Sequence, residues 1–152
     1  MTSALMLEGE RSDVRAPDGT RLAVYEWGDP SGPEIVLIHG FAQSHLCFEP
    51  QVRSALASHC RIVAFDMRGH GSSAQPADPA AYRGNRVWAD DIAAVLSAKE
   101  LARPVLVGWS MGGRIVRQYV MTYGDGRLGG VNFVASQVIE EPHFRGPSAP
   151  KP

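Results

Sequence analysis

Hydrophobic side chains are gathered along this chain into short runs, which alternate with longer polar and glycine-rich stretches. Two continuous apolar runs occupy Glu34–Ile38 and Arg61–Phe65, and a third occupies residues 104–107. Short runs of this kind, without alternation, are typical of strands buried on both faces of a parallel sheet. A further run over residues 128–135 predicts another strand, the sixth when the hairpin described next is included.

Turn and helix signals lie between these runs and before them. Residues 14–16 and 21–27 flank an Asp-Gly turn, which predicts a β-hairpin. Residues 46–58 are compatible with a helix, and the apolar spacing over residues 85–101 predicts an amphipathic helix. A largely buried helix is expected after the third apolar run, with its end at Gly124.

Composition narrows the class of protein. The chain has 152 residues, of which 44% are hydrophobic, and a formal charge of −1, which suits one globular domain with a moderate core. No cluster of lysine and arginine is present, so nucleic acid is not expected as a partner. Arg114 and Arg117 are interpreted as solvated helix positions.

Other features of the sequence bear on where the protein is located in the cell. No apolar stretch approaches the length of a membrane span, and residues 1–8 lack the basic start and apolar centre of a secretion signal. A membrane is therefore not expected as a partner. Cys47 and Cys60 are expected to be free thiols in a reducing compartment, and these features together predict a cytoplasmic protein.

The strongest chemical signal is the hexapeptide Gly-Trp-Ser-Met-Gly-Gly at residues 108–113, directly after the third apolar run. A strand, then G-x-S-x-G, then a helical pattern is the sequence form of a nucleophile elbow. The serine lies at the tip of a sharp turn, whose strained backbone requires small residues two positions to either side. The same turn directs the first amides of the helix at the substrate, where an oxyanion would form. Ser110 is therefore the candidate nucleophile.

Two further motifs follow the earlier apolar runs: His-Gly-Phe at residues 39–41 and Asp-Met-Arg-Gly-His-Gly-Ser-Ser at residues 66–73. With the elbow, they have the order and separations found in the α/β-hydrolase superfamily, and the chain resembles its branch of esterases and cofactor-free haloperoxidases. The resemblance implies an α/β-hydrolase fold with a mostly parallel sheet, formed as a partial domain over residues 10–135. It implies no cofactor and no metal.

The resemblance also assigns roles around Ser110. The backbone N–H groups of Met111 and Phe41 would form the oxyanion hole. The side chains of Trp109 and Phe41 would line the pocket for the acyl group of a small-molecule substrate.

The remaining polar residues of these motifs are interpreted as structural. His39 would shape the oxyanion loop, because it lies on the oxyanion side of the site, where a catalytic base is not expected. Asp66 and His70 would hold the 66–73 turn through hydrogen bonds, with Arg68 bridging carboxylates or carbonyls.

In the family, the catalytic acid follows the seventh strand and the catalytic histidine follows the eighth. The pattern here stops at the sixth strand. We therefore expect a fold truncated there, without strands seven and eight or the cap, and an irregular tail over residues 136–152. Glu140 or Glu141 with His143 keeps the order of acid and base, although a glutamate so near the histidine seldom lets it reach a serine on another loop. The unpaired edge of the last strand is expected to favour self-association.

Two functions of different classes remain open. The first is a serine hydrolase that transfers the acyl group of a small carboxylic ester to water through a Ser110 acyl-enzyme, impaired here by the missing acid and histidine. Its haloperoxidase-like variant would use a carboxylic acid and peroxide. The second is a catalytically inactive fragment or an interaction module. Haloalkane dehalogenases and epoxide hydrolases use an aspartate nucleophile and are excluded, because residue 110 is serine.

Overall fold

The hydrophobic runs form one sheet in the computed structural model, which describes residues 9–138. Its strands are β1 (Glu10–Arg15), β2 (Arg21–Gly28), β3 (Glu34–Ile38), β4 (Arg61–Phe65), β5 (Val105–Trp109) and β6 (Gly130–Val134). The order across the sheet is β1-β2-β4-β3-β5-β6. The hairpin strands β1 and β2 are antiparallel, β2 is antiparallel to β4, and the pairs from β4 to β6 are parallel. The mostly parallel α/β sheet predicted from the sequence is confirmed.

Helices cover both faces of this sheet unequally. The helices are α1 (Glu49–Val52), α2 (Asn85–Ala98) and α3 (Met111–Tyr123). The apolar faces of α2 and α3 pack with one face of the sheet in the larger core cluster, which includes Val36, Ile38, Phe65, Ile92, Leu106 and Val116. The opposite face, which carries Leu37, Ile62 and Ala64, packs on Phe48 and Val52 from the segment between β3 and β4.

That segment is where the predicted helix over residues 46–58 is wrong. It forms a 3-10 turn at His45–Phe48, the single turn of α1, and another 3-10 turn at Ala55–Ser58. Pro50 lacks an N–H, so hydrogen bonding cannot continue from the first turn into a longer helix. The Ser54 hydroxyl then caps a new turn by accepting from the Leu56 amide at 3.2 Å.

The parallel register places the chemical motifs together. In the sheet, Ile38 at the end of β3 pairs with Phe65 at the end of β4 and with Gly108 in β5. Because the carboxyl ends of parallel strands share one edge, the segments that follow these strands meet there. These segments are residues 39–42, residues 66–73 and the elbow at Ser110.

A buried arginine fixes the 66–73 turn to the rest of the fold. The guanidinium of Arg68 donates to both carboxylate oxygens of Asp91 on α2, at 2.6 and 2.8 Å. It also donates to Asp18 in the hairpin turn at 2.7 Å and to the Ala81 carbonyl at 2.6 Å. Burial raises the pKa of Asp91. Burial alone would lower the pKa of Arg68, but its hydrogen bonds to Asp91 and Asp18 outweigh that effect and raise it. The two-point geometry is that of a guanidinium–carboxylate ion pair, so Asp91 is ionised and the bridging role predicted for Arg68 is confirmed.

Asp66 holds the start of the same turn and is fully buried. Its carboxylate accepts hydrogen bonds from the His45 amide at 2.7 Å and from the Ser72 amide at 2.8 Å, and pairs with the His45 ring at 2.9 Å. The His45 ring in turn stacks on Tyr25, with ring centroids 3.5 Å apart. Burial alone would raise the pKa of Asp66, but the hydrogen bonds from His45 and Ser72 outweigh burial and lower it.

The last strand is exposed. Val131, Phe133 and Val134 of β6 are 41%, 37% and 41% exposed, and among the described residues β6 pairs only with β5. The strand carries no charged residue that would discourage pairing with another chain.

The described part of the chain contains no helix long and apolar enough to cross a membrane. Cys47 and Cys60 are both free thiols, as expected from the sequence.

Replacing Asp66 tests the hydrogen bonds that hold the turn. At pH 7 we expect Asp66→Asn to lower the free energy of unfolding by about 2 kcal/mol, because one buried acceptor oxygen becomes a donor. The pKa of Asp66 lies below its ordinary 3.8 in the folded chain, so its contribution is complete above that pH and is lost as the pH falls further. The difference between the wild type and Asp66→Asn should therefore shrink below pH 4 in urea titrations.

Asp13→Asn removes the charge of an exposed carboxylate and serves as the control. We expect it to lower the free energy of unfolding by less than about 0.5 kcal/mol. A stability difference between wild type and Asp66→Asn that stays constant down to pH 2 would contradict the assignment.

We expect the exposed strand to cause self-association of the 152-residue chain. Phe133→Lys places a charge on β6 and should lower the average mass in light scattering. Met121→Lys is the matched control, since Met121 is an exposed apolar residue on the helix α3 and is not part of the strand. A wild-type chain that is monomeric across the concentration range would refute the expectation.

Candidate active site

Ser110 lies in a strained turn between β5 and α3. Its backbone has φ 53° and ψ −116°, a conformation that a residue with a side chain rarely adopts. The Ser110 amide donates to the Val134 carbonyl at 2.9 Å, and the Gly113 amide donates to the Ser110 carbonyl at 3.1 Å. The elbow predicted from the sequence is thus tied to β6 on one side and to α3 on the other.

The glycines of the motif are explained by close contacts. A side chain at Gly112 would overlap the carbonyl oxygens of Ile38 and His39 at the end of β3. A side chain at Gly108 would lie 2.5 Å from the Gly113 backbone. These contacts let the first turn of α3 lie directly against the sheet, and they hold Ser110 at its tip.

Residues 39–42 lie beside the serine. A Cβ atom added at Gly40 would lie 3.3 Å from the Ser110 Cβ. The next side chain, Phe41, is 73% exposed. Neither the Phe41 amide nor the Met111 amide is used in a hydrogen bond among the described residues, as their predicted role as oxyanion donors requires.

The buried ring of His39 holds residues 39–42 in place. Its Nε2 atom accepts from the Met67 amide at 3.0 Å, so the proton of the neutral ring lies on Nδ1, which donates to the Gly40 carbonyl at 2.7 Å. Burial lowers the pKa of His39, and the hydrogen bond to Gly40 opposes this only in part. Both ring nitrogens are therefore occupied, which supports the loop-shaping role inferred from the sequence.

An open pocket of about 460 Å³ lies over the serine. Its lining residues are Phe41, Ser110, Met111, Arg114, Ala135 and Gln137. Phe41 and Met111 supply apolar surface, and Arg114 supplies the only charge among these residues. The pocket combines a hydroxyl, two unused amides and one cation.

Trp109 is placed differently from the other predicted pocket residues. It lines a separate apolar cavity of about 280 Å³, with Leu37, Phe48 and Val134 among its other walls. An added Cβ at Gly40 would lie 3.6 Å from Trp109 Cε3, so the indole lies against the loop of residues 39–42.

Two residues beside Ser110 are not predicted by the sequence: Ser136 has no role in the sequence analysis, and Arg114 is interpreted there as a solvated helix position. The Ser136 hydroxyl donates to the Ser110 carbonyl, and a side chain at Gly113 would overlap it. The spacing could have indicated Arg114, since a residue four positions after the elbow serine lies one helical turn above it. Ser136 lies beyond β6 and has no comparable local signal.

No described residue offers a base to Ser110. Among residues 9–138, its hydroxyl has no hydrogen-bond partner, and no histidine or carboxylate lines the pocket. The predicted substitutes Glu140, Glu141 and His143 lie outside the described residues. Within the same described range, no group of three or more potential metal ligands is present.

Comparison with known proteins agrees with this architecture. A family model for the alpha/beta hydrolase fold matches residues 33–151, and the chain belongs to this family. A Burkholderia cenocepacia protein assigned as an aryl esterase has a TM-score of 0.84 and 40% identity, covering 88% of this chain and 49% of that protein.

Two curated relatives are similar over shorter stretches. A non-heme chloroperoxidase of Streptomyces lividans is 34% identical over 115 residues, which are 76% of this chain and 41% of that enzyme. A Mycobacterium tuberculosis protein named as the oxidoreductase EphD is 44% identical over 94 residues, 62% of this chain and 16% of that protein. The chain therefore spans about half the length of the Burkholderia protein and a smaller share of the chloroperoxidase and of EphD.

The strain at Ser110 has a measurable consequence. Glycine adopts the observed backbone without strain, whereas alanine does not. The free energy of unfolding of Ser110→Gly should therefore be about 1 kcal/mol higher than that of Ser110→Ala. Urea titration of the two variants measures this difference. At Ala94 within α2, glycine should instead be less stable than alanine; the same sign at both positions would contradict the strained elbow.

Proposed function

We propose that the chain carries the nucleophile and oxyanion hole of a serine hydrolase that acts on a small carboxylic ester. The observation that supports this most directly is the strained Ser110, which opens into the 460 Å³ pocket beside the unused amides of Phe41 and Met111. Strained residues of this kind cluster at functional sites. The family membership and the resemblance to an aryl esterase favour the same reaction class.

In the proposed reaction, the Ser110 oxygen attacks the ester carbonyl carbon and forms a tetrahedral intermediate. The carbonyl oxygen becomes an oxyanion and accepts hydrogen bonds from the Met111 and Phe41 amides. Collapse of the intermediate breaks the bond to the alcohol, which leaves with a proton, and leaves an acyl group on Ser110. Water then attacks the acyl-enzyme, releases the carboxylic acid and returns a proton to Ser110.

The efficiency of the first step depends on a base that removes the Ser110 proton. Loss of the base from a serine triad costs on the order of 10⁶ in turnover, while an oxyanion hole and binding alone retain on the order of 10³ over water. Because no described residue supplies this base, we propose that the chain as given has impaired activity, at the level of that remnant.

A related reaction is favoured by the chloroperoxidase relative, which is named as non-heme. In this variant, a carboxylic acid would acylate Ser110 with loss of water, and hydrogen peroxide would then release a peracid. It uses the same nucleophile and the same oxyanion donors. Formation of peracid from acetate and peroxide, compared between the wild type and Ser110→Ala, tests it.

Covalent labelling separates the hydrolase from an inactive interaction module. We expect a fluorophosphonate to modify the wild type slowly at Ser110, as read by intact mass and peptide mapping. Hydrolysis of p-nitrophenyl acetate should run at about 10³ over the water rate. Ser110→Ala should lose the label but keep most of this hydrolysis, because the oxyanion hole and binding alone supply it. Ser97→Ala, a control on the exposed side of α2, should keep both.

A wild type that the fluorophosphonate does not modify at Ser110, or whose hydrolysis does not exceed the water rate, would overturn the proposal and favour the inactive module. Turnover at ordinary enzyme rates that His143→Ala abolishes would identify His143 as the base, and would refute the impaired activity proposed here.

A further inference from the structure

Among the described residues that line the pocket of Ser110, one side chain carries a charge. Arg114 is exposed and lines the pocket together with the nucleophile. No described residue forms an ion pair or a hydrogen bond with its guanidinium. Other arginines of the fold do have carboxylate partners: Arg53 pairs with Glu49, Arg61 with Glu26, and Arg86 with Asp90.

The sequence of α3 explains why Arg114 has no such partner. The helix contains no aspartate or glutamate. The positions four residues before and after Arg114 are Ser110 and Gln118, so no acidic side chain is available at helical spacing. Among residues 9–138, the arginine therefore presents its charge to the pocket without a carboxylate to neutralise it.

Helix geometry directs this charge toward the serine. Side chains on a helix lean toward its N-terminus, and four residues correspond to a rise of about 6 Å. Arg114 thus leans over the first turn of α3, where Ser110 lies. The N-terminus of α3 adds partial positive charge at the same place. The neighbouring Gln137 amide adds a neutral donor to the lining.

We propose that Arg114 is a specificity-determining residue that binds a carboxylate at the far end of the acyl chain. The substrates would then be monoesters of short dicarboxylic acids, with the ester carbonyl at Ser110 and the free carboxylate at Arg114. A chain of the size of a succinyl or glutaryl group spans about one helical turn. Phe41 and Met111 provide apolar contact for the methylene groups between the two ends. This inference rests on the proposed role of Ser110.

Binding of matched neutral and charged ligands tests the proposal without requiring turnover. The probes are monomethyl glutarate, which has one carboxylate, and dimethyl glutarate, which has none. At pH 7 and low salt, we expect the monoester to bind the wild type about tenfold more tightly, a ratio that corresponds to about 1.4 kcal/mol. Chemical-shift titration of the full chain gives both dissociation constants.

Variants at Arg114 and Arg83 test whether Arg114 causes the preference for the monoester. Arg114→Gln should remove the preference for the monoester, and Arg114→Lys should keep part of it, since lysine keeps the charge but lacks the planar fork. Arg83→Gln makes the same change in net charge on the exposed residue before α2, which does not line the pocket, and should keep the preference. Matching thermal melts verify that the variants fold.

Several outcomes would overturn the inference: equal binding of the two esters, no detectable binding of either, a preference that survives Arg114→Gln, or equal losses in Arg114→Gln and Arg83→Gln. Labelling by an uncharged fluorophosphonate separates this inference from the proposed function. Wild type that labels at Ser110 but shows no preference for the monoester refutes the role of Arg114 alone. A preference that Arg114→Gln removes, in a chain whose Ser110 does not label, supports the carboxylate site and refutes only the nucleophile.

Discussion

The geometry of the site depends on how closely the first turn of α3 approaches the end of β3. Gly112 lies against the carbonyl oxygens of Ile38 and His39, where any side chain would overlap them. This contact brings the end of β3 and the N-terminus of α3 together, so the amides of Phe41 and Met111 border one pocket. It also forces the chain to turn sharply at Ser110, and the strain of that turn is offset by the packing of α3 on the sheet.

The loop that carries Phe41 has its own support. His39 links the Met67 amide to the Gly40 carbonyl through its two ring nitrogens. The 66–73 turn that contains Met67 is in turn fixed by Arg68, whose ion pair with Asp91 reaches α2. The loop of residues 39–42 is thus joined through the 66–73 turn to the helix α2. This support would serve the oxyanion hole that we propose, because oxyanion donors stabilise charge only when they are positioned in advance.

The sequence predicted the features that depend on local patterns. Continuous apolar runs identified the central strands, the Asp-Gly turn identified the hairpin, and the G-x-S-x-G motif identified Ser110 as the elbow residue. Residues 46–58 were predicted incorrectly, because the apolar content of that segment suits both a helix and a series of turns, and Pro50 and Ser54 decide between them. Ser136 and the position of Trp109 depend on contacts between strands that are distant in the sequence, which periodicity does not reveal.

Charge in the described part of the chain is distributed unequally between scaffold and pocket. The buried carboxylates each have hydrogen-bond partners where they support the fold: Asp66 is bonded to His45 and the Ser72 amide, and Asp91 is paired with Arg68. The pocket, in contrast, is lined by no carboxylate, and it contains the free cation of Arg114 and the N-terminus of α3. Its field therefore favours negative charge both at the position of an oxyanion and one helical turn away. The same field would lower the pKa of a histidine placed near Ser110, and would so favour the neutral ring, which is the form that can accept the Ser110 proton.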